Sequence, residues 1–348
     1  MTSCTSRFDR SMDAGCVFAT GDLRPWVDIG AGCLTSVILA LMKSPSASEP
    51  TILWHYTDAG GLHGMITEQQ LRCGNVHFLN DQTEHFYGWG MVRRQLRSFR
   101  CNDVACSFIA REALGLVSDG ESRVIPHAIS FSELPDAMSQ WQRYGNDGAG
   151  YAIGFDVAGL REICSSILPV GRLERLVYEP RRQRDLVARP IAAWHAAMPN
   201  HQFRGTVSAV ERLGNELRAS TPSQQIDANE VAVALAINLS RLAMTLKHRD
   251  FKDEQEWRLI TLSTRDQIPG APPIAPPEFY VSRNVVKPFA HVSMMMASGQ
   301  TRPLPIVEVR CGPRLPTRLA KNSVRTFLDT FGYHQTRVSV SRLVRTWR

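Results

Sequence analysis

The chain has 348 residues, 43% of them hydrophobic and 21% charged. That balance excludes a disordered protein and leaves room for one large domain or two ordinary ones. Its formal charge of +7 favours anionic partners such as nucleic acid, nucleotides or acidic membrane surfaces, although a solvated basic face gives the same composition.

Residues 1–45, which contain "VDIGAGCLTSVILALM", stand apart from the rest. They lack helix caps and clear periodicity, and the apolar run from Ile29 to Met42 is too short for a membrane span. Three readings stay open: a disordered or wrongly assigned leader, a signal or anchor segment, and a true start at Met42. Residues 46–348 are expected to form one domain.

In that body, "PTILWHY" reads as a strand and "DAGGLHGMITEQQL" as a helix capped by Asp58, with Leu62, Met65 and Ile66 on its apolar face. "LRCGNVHFLN" is a short strand. "DQTEHFYGWGMVRRQLRSF" is a helix beginning near Asp81, with Glu84 in its first turn, and "DVACSFIAREALGLVSDG" is another helix. "RVIPHAISFSE" is a strand, "DAMSQWQRYG" a short helix, and "GAGYAIGFD" and "RLERLVYEP" are strands. A helical insert occupies about 181–250, including the apolar "DANEVAVALAINLSRLAMTLKH". "EWRLITLS" is a strand, and "GAPPIAPPEFYVS" a proline-rich loop entering one. "LPIVEVRCGP", the helix "TRLAKNSVRTFLDTFG" and the strand "TRVSVS" close the series. Strands and helices mix without regular βαβ alternation, which predicts an α+β fold.

Polar residues recur at the predicted strand ends. His55, Tyr56 and Thr57 end the first strand, Asn80 and Asp81 the second, and Ser130, Ser132 and Glu133 the third. Glu254, Glu256 and Arg258 surround the start of a later one. One cleft could gather them, although strand ends meet polar loops in any fold. In "DEQEWRLI" the period of two sends Trp257 and Leu259 to one face, Glu256 and Arg258 to the other. Such a carboxylate either forms a structural ion pair with its arginine or faces a cleft, where it stabilises developing positive charge. On this reading Glu256→Gln leaves no cavity and still folds, whereas breaking a structural ion pair would lower the melting temperature modestly. Trp141 and Tyr144, on a short helix with Arg143, either stack on a planar ring or pack in the core. Dinucleotide, P-loop, zinc-protease and serine-hydrolase motifs are absent. The eight cysteines form no CxxC pair, so reduced thiols in a cytoplasmic protein without a structural metal are expected.

The ordered segments "LWHYTDAGGLHGMI", "ISFSELPDAMSQWQRYGNDGAGYAIGFD", "FKDEQEWRLI", "IVEVRCGP" and "VSVSRLVRTWR" resemble the bacterial domain family of unknown function DUF2971, over roughly residues 51–348. That family is distantly similar to ADP-ribosyltransferases, whose nucleic-acid-directed branches open with a comparable strand and helix. The resemblance implies a strongly bent, split sheet holding NAD as substrate. It implies that His55 contacts a ribose or the nicotinamide, and that Ser130 or Ser132 supports the site. Glu256, with Glu254 behind it, would bond the nicotinamide-ribose hydroxyl. Tyr56, Thr57, Asn80, Asp81, Trp141, Tyr144 and Arg258 would complete the binding surface. A fixed carboxylate stabilises the oxocarbenium-like state of nicotinamide–ribose cleavage without a metal. The implied activity is that of a toxin or phage-defence effector acting on nucleic acid or protein, with no membrane partner. Two rivals stand beside it: a non-catalytic nucleotide-binding or sensor module, and a Mg²⁺-dependent nuclease using Asp81, Glu84 and Glu256.

Overall fold

A computed structural model describes residues 49–78, 82–98, 110–115, 124–167, 171–197, 235–264, 276–282, 284–295 and 301–345. The segment 1–45, Asn80 and Asp81, most of the predicted helix 103–120 and the middle of the insert lie outside them. The first half contains β1 (Ile52–Thr57), α1 (Ala59–Glu68), β2 (Leu71–Asn75), α2 (Gln82–Ser98), β3 (Val124–Ser132) and α3 (Met138–Arg143). Next come β4 (Tyr151–Asp156), α4 (Val157–Ser166), β5 (Arg172–Arg175), α5 (Pro180–Ala197), α6 (235–245) and β6 (Glu256–Thr264). The remainder is β7 (Glu278–Ser282), β8 (Val285–Val292), β9 (Met294–Met295), β10 (Thr301–Arg302), β11 (Ile306–Cys311), α7 (Thr317–Thr330) and β12 (Arg337–Val340).

Among the described residues ten strands form one open, mixed sheet in the order β12-β11-β4-β1-β3-β2-β8-β7, with β6 also on β3 and β5 outside β6. Every pairing in it is antiparallel except β11 with β12. This is the α+β class expected from the sequence. On one edge β3 pairs with β6 along its whole length, from Val124 to Ser132. On the other it is shared: β2 pairs at His127 and Ala128, β1 only at Ser132. Ile129, Ser130 and Phe131 therefore have β6 as their only strand partner among the described residues.

The two faces of the sheet carry different cores. Leu53, Phe131, Ile153, Phe155 and Leu259 pack on α1, α4 and α7. Each of these helices presents residues at three- and four-residue spacing, such as Ala320, Val324 and Leu328 of α7. Burying one such large side chain contributes about 1.5–3 kcal/mol. Opposite them, Ala128, Ile260 and Leu262 meet Trp89 and Val92 of α2, Val187 of α5 and Leu242 of α6. On this second face Trp54, Tyr56, Trp141 and Ala152 form a separate aromatic cluster. Arg310 stacks over Trp54, 4.8 Å from the ring centre, and donates to the Pro135 carbonyl at 2.8 Å.

α4, β8 and the short strands β9 and β10 were not expected from the sequence. α4 follows β4 without a loop, because Asp156 ends the strand and also caps the helix, accepting from Gly159 N at 2.8 Å. β8 contains Pro288, which argues against a strand. The proline pairs with Phe279 of β7, one residue beyond the Gly74–Phe289 pairing with β2, so no ladder bond to β2 is lost there.

Candidate active site

A cleft of about 230 Å³ opens where β1 and β2 part over β3, and Gly74, Ala128 and Ser130 contribute to its lining. The His55 ring enters this parting, lying edge-on to Phe131. Its Nδ1 is 2.8 Å from the Ser130 carbonyl. A carbonyl only accepts, so Nδ1 carries the proton and Nε2 is left as an acceptor. Burial lowers the His55 pKa below its ordinary value, against the opposing pull of the Ser130 bond. The ring is therefore neutral at physiological pH.

Glu256 opens β6 across from Ser132. Its side chain sits on the face opposite Trp257 and Leu259, as the period of two requires. Ser130 Oγ donates to Glu256 Oε1 at 2.6 Å, and Arg258 Nε donates to the same oxygen at 2.6 Å. Lys247 Nζ donates to Glu256 Oε2 at 2.6 Å and to Glu254 Oε2 at 2.5 Å. Arg143 Nη1 reaches Glu254 Oε1 at 2.6 Å. Arg258 is steadied by the Met244 carbonyl at 3.0 Å, and the Glu256 backbone N–H donates to the Tyr178 hydroxyl at 2.9 Å. These short, charge-assisted bonds are the strong kind.

Burial alone would raise the Glu256 pKa, but Arg258 and Lys247 outweigh it and hold the carboxyl at about 2, below its ordinary 4.5. A carboxylate depressed by folding stabilises the protein above its unfolded pKa, and that contribution is lost as pH falls through the folded value. Between about pH 4.5 and pH 2 the protein should therefore lose on the order of 3 kcal/mol through this group. Thermal melts across that range should fall more steeply for wild type than for Glu256→Gln. Parallel curves would exclude the assignment.

The structure gathers His55, Tyr56, Ser130, Tyr144, Glu254, Glu256 and Arg258 around the cleft. Ser132 stands behind it, buried, donating to the Glu254 carbonyl at 2.7 Å. Two placements correct the sequence reading, those of Trp141 and Thr57. Trp141 is 0% exposed and donates its indole N–H to Asp136 at 2.7 Å, so it is core and stacks on no ligand. Tyr56 touches the cleft but spends its hydroxyl on the Leu134 carbonyl at 2.8 Å. Thr57 lies beside Gly61 at the mouth of α1 and is not part of the lining. Asn80 and Asp81 are outside the described residues, as is the Glu84 side chain. The Glu256–Arg258 pair is buried on both sides, so replacing Glu256 should also cost stability.

Lys247, Arg72 and Gly74 of the lining were missed. Lys247 ends an apolar helical run, where a lone cation reads as a partner of the helix dipole. Among the described lining residues are three cations (Arg72, Lys247, Arg258) and two carboxylates (Glu254, Glu256), and Arg72 is paired with Glu68. A second cavity, of about 320 Å³ between α2 and α5, has no carboxylate among the described residues of its lining. Among the described residues no group of three His, Cys, Asp or Glu is placed to hold a metal ion, and no helix is long and apolar enough to cross a membrane.

A family model described as "Protein of unknown function (DUF2971)" matches residues 140–259. The resemblance to that family holds over this segment, which includes Lys247, Glu254, Glu256 and Arg258. No curated protein matches the chain. Among solved structures, "Thermus sp. 2.9 DarT in complex with ADP-ribosylated ssDNA" is similar over 88% of this chain and 99% of that chain. The identity is 11% and the TM-score 0.27, too loose a likeness to assign a ligand or a reaction.

Proposed function

We propose that the cleft binds NAD as substrate and that the protein is an ADP-ribosyltransferase-like enzyme, built on a strongly bent sheet split between β1 and β2. The observation that carries this reading is the Glu256 carboxylate, held by Ser130 Oγ at 2.6 Å in the cleft where His55 Nδ1 meets the Ser130 carbonyl. Nicotinamide–ribose cleavage builds positive charge on the sugar, and a carboxylate already ionised and fixed in place stabilises that charge without reorganising. His55 Nε2 accepts from a ribose hydroxyl. At about 230 Å³ the cleft is smaller than the roughly 300–1,000 Å³ of pockets that enclose a drug-sized ligand. It houses the nicotinamide-ribose end, and the rest of NAD lies outside. The acceptor on this reading is nucleic acid or protein, in a toxin or phage-defence role.

One observation favours a second reading. Both Glu256 oxygens are already occupied, by Ser130 and Arg258 on one side and Lys247 on the other. A site so neutralised suits a nucleotide-binding module without turnover. The same two cations disfavour a Mg²⁺-dependent nuclease, since they repel a divalent ion from that carboxylate.

Mixing purified protein with NAD and following nicotinamide separates these readings. Release without added metal supports the enzyme, binding without release supports the module, and the absence of both overturns the NAD assignment. His55→Ala should weaken NAD binding at least about tenfold, the equivalent of one lost hydrogen bond. Calorimetric titration checks this, and an unchanged affinity removes His55 from the site.

A further inference from the structure

We propose that Lys247 is the positioning residue of the cleft: its ammonium bridges Glu254 and Glu256 and fixes the Glu256 carboxylate against Ser130. The inference rests on the reading of the cleft as an NAD site and adds a residue outside the His55–Ser130–Glu256 set.

The backbone of Lys247 is itself anchored. Its N–H donates to the Val177 carbonyl at 3.2 Å, and Val177 N–H donates to the Thr245 carbonyl at 2.8 Å. The buried Gln183 amide of α5 donates to both Val177 O at 2.5 Å and Lys247 O at 2.7 Å, while accepting from the Tyr87 hydroxyl of α2 at 2.7 Å. Two helices and the segment after β5 thus hold the lysine at the end of α6. Its side chain is 1% exposed. Its ammonium spans the two carboxylates and lies 5.0 Å from the Phe251 ring centre, a cation–π distance.

The terminal torsion of a glutamate is broad, so its own rotamer does not fix the carboxylate plane. Contacts must do so. Ser130 and Arg258 hold Oε1, and Lys247 holds Oε2. Without Lys247, Oε2 is free to swing toward the Arg258 guanidinium, and Glu254 and Glu256 repel each other across the gap the ammonium filled. A lysine suits this place better than an arginine, because a compact point charge fits between two carboxylates that a planar fork would push apart. Burying an ammonium is seldom the most stable solution for a core, and this one lies in the cleft wall.

The test compares Lys247→Met and Lys247→Arg with wild type. Because Lys247→Met leaves two carboxylates short of a partner, Lys247→Met/Glu254→Gln is included to keep the buried charge balanced. For the methionine variants we expect nicotinamide release to slow at least about a hundredfold in kcat. NAD affinity should stay within about threefold, and crystal structures should show the Glu256 carboxylate beyond hydrogen-bonding distance of Ser130. Lys247→Arg should recover part of the rate. A purely structural lysine predicts a lower melting temperature with kcat and affinity of the folded fraction unchanged, and that result overturns the proposal. If wild-type protein releases no nicotinamide, the enzyme reading fails and the crystal structures alone decide. A Glu256 that stays on Ser130 in the methionine variants then refutes the role of Lys247, and a displaced Glu256 upholds it.

Discussion

Glu256→Gln should release nicotinamide at least about a hundredfold more slowly than wild type and should also be markedly less stable. The rate loss follows from removing one preorganised charge next to the ribose, a change that typically costs roughly 10²–10³ in kcat. The stability loss follows from what surrounds the carboxylate. Arg258 and Lys247 are themselves buried, and the glutamine neutralises their common partner. Breaking a buried ion pair by removing one member typically costs about 3–5 kcal/mol. A glutamine also turns an amide NH₂ toward a cation where an acceptor oxygen stood. NAD affinity should change less than the rate, because His55 and the cleft walls remain. Single-turnover nicotinamide release, calorimetry and a thermal melt measure the three quantities separately. A rate within threefold of wild type would return Glu256 to a purely structural part, and an unchanged melting temperature would contradict its burial.

Two glycines should respond in opposite ways to an added side chain. A Cβ on Gly150 would stand 2.2 Å from the Thr57 carbonyl oxygen and 2.8 Å from that of Gly145. Both are backbone atoms, so no rotamer relieves the clash. Either the end of β1 or the turn before β4 must move, and that turn already holds Asn146, Asp147 and Gly148 at φ 50, 50 and 79. Gly150→Ala should cost about 3 kcal/mol or more, read as a melting temperature lower by roughly 6–12 °C. Gly74 lines the cleft, and a Cβ there would meet nothing within 4 Å. Gly74→Val should therefore leave the melting temperature nearly unchanged while filling ligand space and weakening NAD binding at least about tenfold. Equal melting temperatures for wild type and Gly150→Ala would show that the close approach is not real.

Much of the frame was legible because its signals are local. Asp58 accepts from Gly61 N at 2.7 Å, and Leu62, Met65 and Ile66 are buried, as the cap and spacing required. The period of two in "EWRLI" placed Glu256 and Arg258 on the correct face. The sequence could not show what closes over that face. Lys247 comes from a helix end, Arg143 from α3 and Tyr178 from the segment after β5, and only the tertiary fold brings Lys247 and Tyr178 to Glu256 and Arg143 to Glu254. Trp141 was ambiguous for a related reason: a short helix carrying an aromatic ring reads the same whether the ring faces a ligand or Tyr56, which it meets edge-on at 4.9 Å. α4 was missed because one aspartate both ends a strand and begins a helix, leaving no turn residues to announce the change.

The pairing of β11 with β4 sets the order in which a ribosome can deliver this sheet. β11 is made about 150 residues after β4, and at roughly 5–20 residues per second that interval lasts about 8–30 s. Throughout it the outer edge of β4 has no β11 to pair with. An uncovered strand edge is a template for pairing with other chains, so this interval is when a nascent chain most needs a chaperone. A product released before Ile306 keeps that edge bare and lacks Arg310, whose guanidinium covers Trp54. Premature termination therefore yields a sticky fragment fit for proteolysis, even when every residue of the His55, Ser130 and Glu256 set has already been made.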